Sequence, residues 1–154
     1  MQQDDAYYLG IDPGERFNGW ATFKESGDLI TMGTIIGVDQ LTDWLEAFDT
    51  TTLKKVIVED YRIGIVKGKH FGAEKHQGSR ALTAKTIGRI ESWAYRNNVE
   101  VILQGNNIKP VGYLWAGIPV PKNKDLSHET DAYVHGVHWL QKNGIRTPQQ
   151  ARRD

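Results

Sequence analysis

The sequence predicts an α/β fold, a five-stranded mixed sheet whose first three strands are antiparallel, flanked by helices. Three β-rich runs follow one another before any helical pattern begins. Helical and strand patterns alternate thereafter, which implies a sheet with helices on its faces. The compact run Val56-Ile57-Val58 before Glu59 is near-continuously apolar, as suits a strand covered on both faces.

The first apolar run, Tyr7 to Ile11, ends at Asp12-Pro13-Gly14, a strand feeding a tight turn. Phe17–Phe23 and Leu29–Ile36 are the next strands, with Ser26-Gly27-Asp28 as hairpin chemistry between them. From Asp39 or Gln40 to Phe48, the residues Leu41, Trp44, Leu45 and Phe48 fall at helical spacing. After the strand ending at Glu59, residues 61–78 are rich in Gly and Lys without period and read as a loop. A long helix follows from about Ser79 to Asn97, with Leu82, Ile87, Ile90, Trp93 and Ala94 on its apolar side. Val99–Leu103 is the fifth strand, residues 105–126 read as mostly irregular, and the last helix spans about His128 to Lys142. Ser127 is its expected N-cap and Gly144 its stop. The order β-β-β-α-β-α-β-α is that of RNase H-like domains.

The 154 residues suit one domain, 1–154, with a single core. Lys and Arg total 19 and Asp and Glu total 19, so only the distribution of charge can point to a partner. With no cysteine there is no disulfide, thiolate metal site or thiol nucleophile; carboxylate and histidine ligands favour a hard cation such as Mg²⁺ or Mn²⁺. The N-terminus MQQDDAYY is not a secretory signal and no apolar stretch is long enough to span a bilayer, so a cytoplasmic location is expected, that of a host cell if the gene is viral.

The chemistry concentrates in acidic residues at element ends. Asp12 ends the first strand and Glu59 the fourth; His128 and Asp131, three residues apart, open the last helix on one face. Were strands one and four parallel neighbours, Asp12 and Glu59 would stand side by side, with the helix carrying His128 and Asp131 over them. Crowded carboxylates repel, and a pair of divalent ions about 3.5–4 Å apart resolves the conflict while supporting in-line phosphodiester chemistry. Each position has a plainer reading. Asp12 can serve as a turn residue, Asp131 as a first-turn carboxylate favoured by the helix dipole, and His128 as a solvated helix-start residue. Glu59 after an apolar run is awkward unless paired or ligating. Asp60 is expected on the opposite, solvated face and Glu129 at the surface. Trp93 and Trp139 are expected to be buried, while Trp115, Pro119 and Pro121 cover a core edge or form a binding surface.

These residues carry a family resemblance. YYLGIDPGERFNGWATF resembles the opening of the RuvC Holliday junction resolvases, VIVEDYRI their second acidic strand, and SHETDAYVHGVHWL their closing helix. The ordered motifs span nearly the whole chain and suit a compact, phage-type member. The resemblance implies that Asp12, Glu59 and Asp131 are catalytic metal ligands, with His128 in a position that some members fill with Asp and others with His. It implies two Mg²⁺ ions per site, replaceable by Mn²⁺, and a homodimer that nicks two strands of four-way DNA. It also makes Lys109 a basic residue near the scissile phosphate. The segment VGYLWAGIPVPKNKDL replaces a longer one in bacterial RuvC, so the resemblance does not carry that segment's junction contacts or a cut-site preference over to this chain.

Residues 67–89 hold Lys67, Lys69, Lys75, Arg80, Lys85 and Arg89 against the single acid Glu74, with His70 and His76 able to add charge. Phe71, between Gly68 and Gly72, is placed to stack on an unpaired base, a contact worth ~1–3 kcal/mol, or to pack on a partner subunit or the core. The plainer reading is a solvated loop followed by a charged helix face. DNA contacts are therefore expected from Lys67, Lys69, His70, Phe71, Lys75, Arg80, Lys85 and Lys109.

The expected activity is metal-dependent, structure-selective endonuclease cleavage of branched DNA, leaving 5′-phosphate and 3′-hydroxyl ends, with no membrane and no small-molecule substrate. The alternatives are an RNase H-like nuclease acting on RNA, a non-cleaving junction-binding module, and a nucleotide-binding domain of the actin and sugar-kinase type. The last needs a second phosphate turn and a second domain that the chain lacks room for.

Overall fold

The structure is a computed structural model; it describes residues 5–60, 77–123, 127–148 and 150, and of 77–80 the backbone alone. Strands β1 (Tyr8–Asp12), β2 (Phe17–Phe23) and β3 (Leu29–Ile36) open the chain, followed by helix α1 (Val38–Ala47) and strand β4 (Lys55–Glu59). Helix α2 (Gln77–Arg96), strand β5 (Glu100–Gln104), helix α3 (Lys109–Ala116) and helix α4 (His128–Lys142) complete it. The sheet order is β3-β2-β1-β4-β5, with β1–β2 and β2–β3 antiparallel and β1–β4 and β4–β5 parallel. This is the mixed sheet that the sequence predicts.

Strand alternation divides the core between the two faces. Leu9 and Ile11 of β1 and Val56 and Val58 of β4 point toward α1 and α2, where they pack with Leu41, Leu45, Ile90 and Trp93. Tyr8 and Ile57 point the other way, against Tyr113 of α3 and Val134 and Val137 of α4. Asp12 and Glu59 share the parity of Tyr8 and Ile57, so the alternation that builds the core also carries both acids to the face covered by α4.

Helix α4 can lie low on that face because glycines line its path. A Cβ on Gly10 would come within 2.5 Å of the Ala132 carbonyl oxygen, and one on Gly19 would collide with the carbonyl of His128 and the amide of Glu129. Gly19 pairs with Asp12 across β1–β2, so the closest approach of helix to sheet occurs beside the acid. The helix ends as expected at Gly144, whose φ of 74° is left-handed.

Several expectations are corrected. The stretch read as irregular contains a 3₁₀ turn, Asn106–Ile108, and the helix α3. Pro110 stands in the first turn of α3, where its missing N–H costs nothing, and Gly117 closes the helix at φ 72°. Leu82 lies on the exposed side of α2, because Thr83, Thr86, Ile87, Ile90, Trp93 and Ala94 form the buried stripe. Asp60 is buried: its amide donates to the Gln104 carbonyl at 2.7 Å, extending the β4–β5 ladder by one residue into the covered part of the sheet. Glu129 and Trp139 are half-buried. Ser127 makes no side-chain cap; its hydroxyl donates to Asp131 Oδ2 at 3.4 Å.

Replacing Gly19 with Ala should lower stability by ~1–3 kcal/mol, as overpacking does. Gly88→Ala on α2, where an added Cβ meets nothing within 4 Å, should leave stability equal or higher. Urea midpoints of the two variants test the low approach of α4; a Gly19→Ala protein as stable as wild type contradicts it.

Candidate active site

The site lies at the carboxyl ends of the parallel pair β1 and β4, where open α/β sheets place their ligands. The paired residues Ile11 and Val58 precede Asp12 and Glu59, so the two acids end adjacent strands in register. Both are buried, with about 5% and 4% exposure. Helix α4 brings His128 and Asp131 over them: His128 Nδ1 lies 3.6 Å from Asp12 Oδ2, and the imidazole stacks on Phe17 with centroids 5.5 Å apart.

Helix α3 adds a cation. Lys109 Nζ lies 3.0 Å from Glu59 Oε1 and 3.1 Å from Asp131 Oδ2, so one ammonium bridges acids from β4 and α4. One turn further along α3, the Tyr113 hydroxyl donates to Asp131 Oδ1. Asp131 is thus fixed by Lys109, Tyr113 and Ser127 together.

Burial raises the Asp12 carboxyl well above its ordinary range, and hydrogen bonding to Glu59 and the Glu59 charge add to the rise. Burial acts the same way on Glu59, but hydrogen bonding with Asp12, the neighbouring His135 ring and the charge of Lys109 outweigh it and hold Glu59 below the usual carboxylate range. The two acids therefore titrate as a pair, with Asp12 the member pushed toward its neutral form. Burial lowers Lys109, yet the charges of Glu59, Asp12 and Asp131 more than offset that and raise it. Tyr113 is raised by burial and by its hydrogen bond to Asp131.

Among the described residues, no three His, Asp or Glu side chains converge as a ready-made coordination group. The ammonium of Lys109 stands between Glu59 and Asp131 in its place. The donors nevertheless suit a hard divalent cation: they are carboxylate oxygens, and the buried Glu59 Oε1 has the Lys109 charge beside it but no hydrogen bond. Asp12, Glu59 and Asp131 would supply the oxygens, with His128 at the rim.

The structure thus brings Asp12, Glu59, His128, Asp131 and Lys109 together. Lys67, Lys69, His70, Phe71 and Lys75 lie outside the described residues, as does the side chain of Arg80. Lys85 is exposed on α2. Arg89, counted with the basic stretch, is tied to α1 by bonds to Asp39 Oδ1 at 2.8 Å and Thr42 Oγ1 at 3.2 Å. Sequence reading missed Tyr113, His135 and Gln104. His135 falls four residues after Asp131 and seven after His128, the spacing of one helix face, so that signal was present.

A five-stranded sheet in this order, with helices on both faces, is an RNase H-like α/β fold. Within that class the chain is similar to solved RuvC structures. Thermus thermophilus RuvC in complex with Holliday junction substrate matches with a TM-score of 0.64 at 15% identity, over 90% of this chain and 96% of that one. A second Thermus thermophilus RuvC structure matches with a TM-score of 0.58 at 14% identity and the same coverage. The fold is therefore RuvC-like. No protein-family model and no curated protein matches the chain. None of the described helices is long and apolar enough to cross a membrane.

In the metal-free protein, folding is favoured by a proton on Asp12. That contribution is complete below the ordinary carboxylate range and is lost as pH rises through the raised value in the folded chain. Asp12→Asn should therefore melt higher than wild type in EDTA at pH 8. The expected gain is ~0.5–2 kcal/mol, or a few degrees, and the gap should narrow as pH falls toward 4. Thermal melts across pH check this, and a variant melting lower than wild type at pH 8 contradicts it.

Proposed function

We propose that the protein is a divalent-metal-dependent endonuclease acting on branched DNA, with four-way junctions as its main substrate. The observation that carries this reading is the Lys109 ammonium bridging Glu59 of β4 and Asp131 of α4, with Asp12 beside Glu59 at the end of the neighbouring strand β1. Such concentrated negative charge is unfavourable without cations, and it lies where this fold class places ligands. The likeness to a RuvC bound to a Holliday junction supports the choice of substrate.

When bound, a pair of Mg²⁺ or Mn²⁺ ions supplies Lewis acidity to the phosphate and an acidified water. Asp12, Glu59 and Asp131 supply the oxygens that hold the ions. Lys109, which bridges Glu59 and Asp131, would be free to face a phosphate oxygen were those acids to hold cations. His128, beside Asp12, would bind or orient the second metal, or handle the proton on either the attacking water or the leaving oxygen. The basic residues Lys67, Lys69, His70, Lys75, Arg80, Lys85 and Lys109 and the aromatic ring of Phe71 contact the DNA, and a homodimer presents two sites to a two-fold symmetric junction. The product ends are 5′-phosphate and 3′-hydroxyl, and the protein acts in the cytoplasm as one domain.

A labelled mobile four-way junction incubated with Mg²⁺ should yield symmetric nicks. Asp12→Asn should reduce them by at least ~10²-fold, comparable to removal of one strong electrostatic group. Duplex, RNA–DNA hybrid and structured RNA belong in the same panel. Preferential cleavage of RNA would overturn the substrate, and cleavage surviving in the variant would overturn the site.

Changing Lys67, Lys69 and Lys75 to Ala should weaken junction binding and flatten its dependence on log salt, each lost phosphate contact removing ~0.9 from the slope. Binding titrations across salt measure this; an unchanged slope would remove that segment from the DNA surface.

A further inference from the structure

His135 is fully buried on α4, one turn after Asp131, and touches the acidic cluster with one edge of its ring. Its Nε2 lies 3.8 Å from Glu59 Oε2 and has no hydrogen bond among the described residues. Its Nδ1 lies 3.2 Å from Gln104 Nε2, at the end of β5.

The Gln104 amide has only one orientation that its neighbours accept. Its Nε2 donates to the His135 backbone carbonyl at 2.9 Å, and a carbonyl oxygen can only accept. Reversing the amide would press two oxygens together at that distance. In this orientation the second amide hydrogen points at His135 Nδ1, which must then be a bare acceptor. The Gln104 oxygen meanwhile accepts from His138 Nδ1 at 3.2 Å, and the His138 ring is stacked on Trp115 with centroids 5.0 Å apart. The hydrogen of the neutral His135 ring therefore resides on Nε2, the nitrogen that faces Glu59.

We propose that His135 is a positioning residue for Glu59: Gln104 holds its ring in the Nε2–H tautomer, so that a buried N–H is aimed at the Glu59 carboxylate. The two oxygens of Glu59 are then distinguished. Oε1 faces Lys109 and the cation side of the cluster, while Oε2 faces the His135 donor. A small turn of the Glu59 carboxylate closes the 3.8 Å gap into a hydrogen bond. The pairing gives a metal-binding carboxylate the outer hydrogen bond that fixes its direction. The line from Glu59 through His135, Gln104 and His138 to Trp115 also ties the acid to β5, α4 and α3. Its part in metal binding rests on the proposed function; the tautomer does not.

The test is long-range ¹H–¹⁵N correlation on the full-length, ¹⁵N-labelled wild-type protein at neutral pH without metal. The His135 ring should show a protonated Nε2 and a bare Nδ1, and Gln104→Leu should abolish that single tautomer. Hydrogen on Nδ1 overturns the inference outright. Calorimetric titration with Mn²⁺ adds the positional arm. His135→Gln, which retains a donor toward Glu59, should stay within about threefold of wild type, whereas His135→Leu should lose ~10–100-fold in affinity. Equal affinities in the two variants overturn the positioning role. A wild-type protein with the expected tautomer and Mn²⁺ affinity that cleaves no nucleic acid would overturn the proposed function and leave the inference standing.

Discussion

Three carboxylates held at one end of a sheet, with a lysine ammonium between two of them, set the terms for the rest of this molecule. Asp12 and Glu59 cannot separate, because the strands that bear them are neighbours in a parallel ladder and both side chains share the covered face. Burial strengthens their mutual repulsion by removing water. The protein answers with an Asp12 carboxyl shifted toward its neutral form, the charge of Lys109 on Glu59 and Asp131, and hydrogen bonds from Tyr113 and Ser127 to Asp131. Each of these contacts offsets part of the cost of holding carboxylates together in a buried site.

The backbone is built to allow that crowding. Gly10 and Gly19 leave room for α4 to press its first two turns on the sheet, and no other residue fits beneath the His128 and Ala132 carbonyls without moving the helix. A helix displaced by even an ångström would carry Asp131 away from Lys109 and His128 away from Asp12. The glycines thus act on the chemistry through distance alone, with no polar group of their own in the site.

Much of this was legible in the sequence, for physical reasons. The succession of strands and helices follows from hydrophobic periodicity, and Asp12 and Glu59 stand out because each interrupts an apolar run at its carboxyl end. Helix α3 was not legible, since Pro110 and Gly112 fall within eight residues and resemble loop chemistry unless the proline is recognised as a first-turn residue. Asp60 was misjudged because alternation alone ignores the extra rung that its amide makes with Gln104. Tyr113, Gln104 and His135 gain their roles from contacts between β5, α3 and α4, which no single segment encodes. His135 alone had a local signal, its spacing from His128 and Asp131.

The most direct measurement is a crystal structure of the protein grown with Mn²⁺, with anomalous scattering recorded at the manganese edge. Peaks enclosed by Asp12, Glu59 and Asp131, with the Lys109 ammonium withdrawn from its present place between Glu59 and Asp131, are the predicted result. Manganese bound elsewhere, with Lys109 still bridging the two acids, would contradict the account at its foundation.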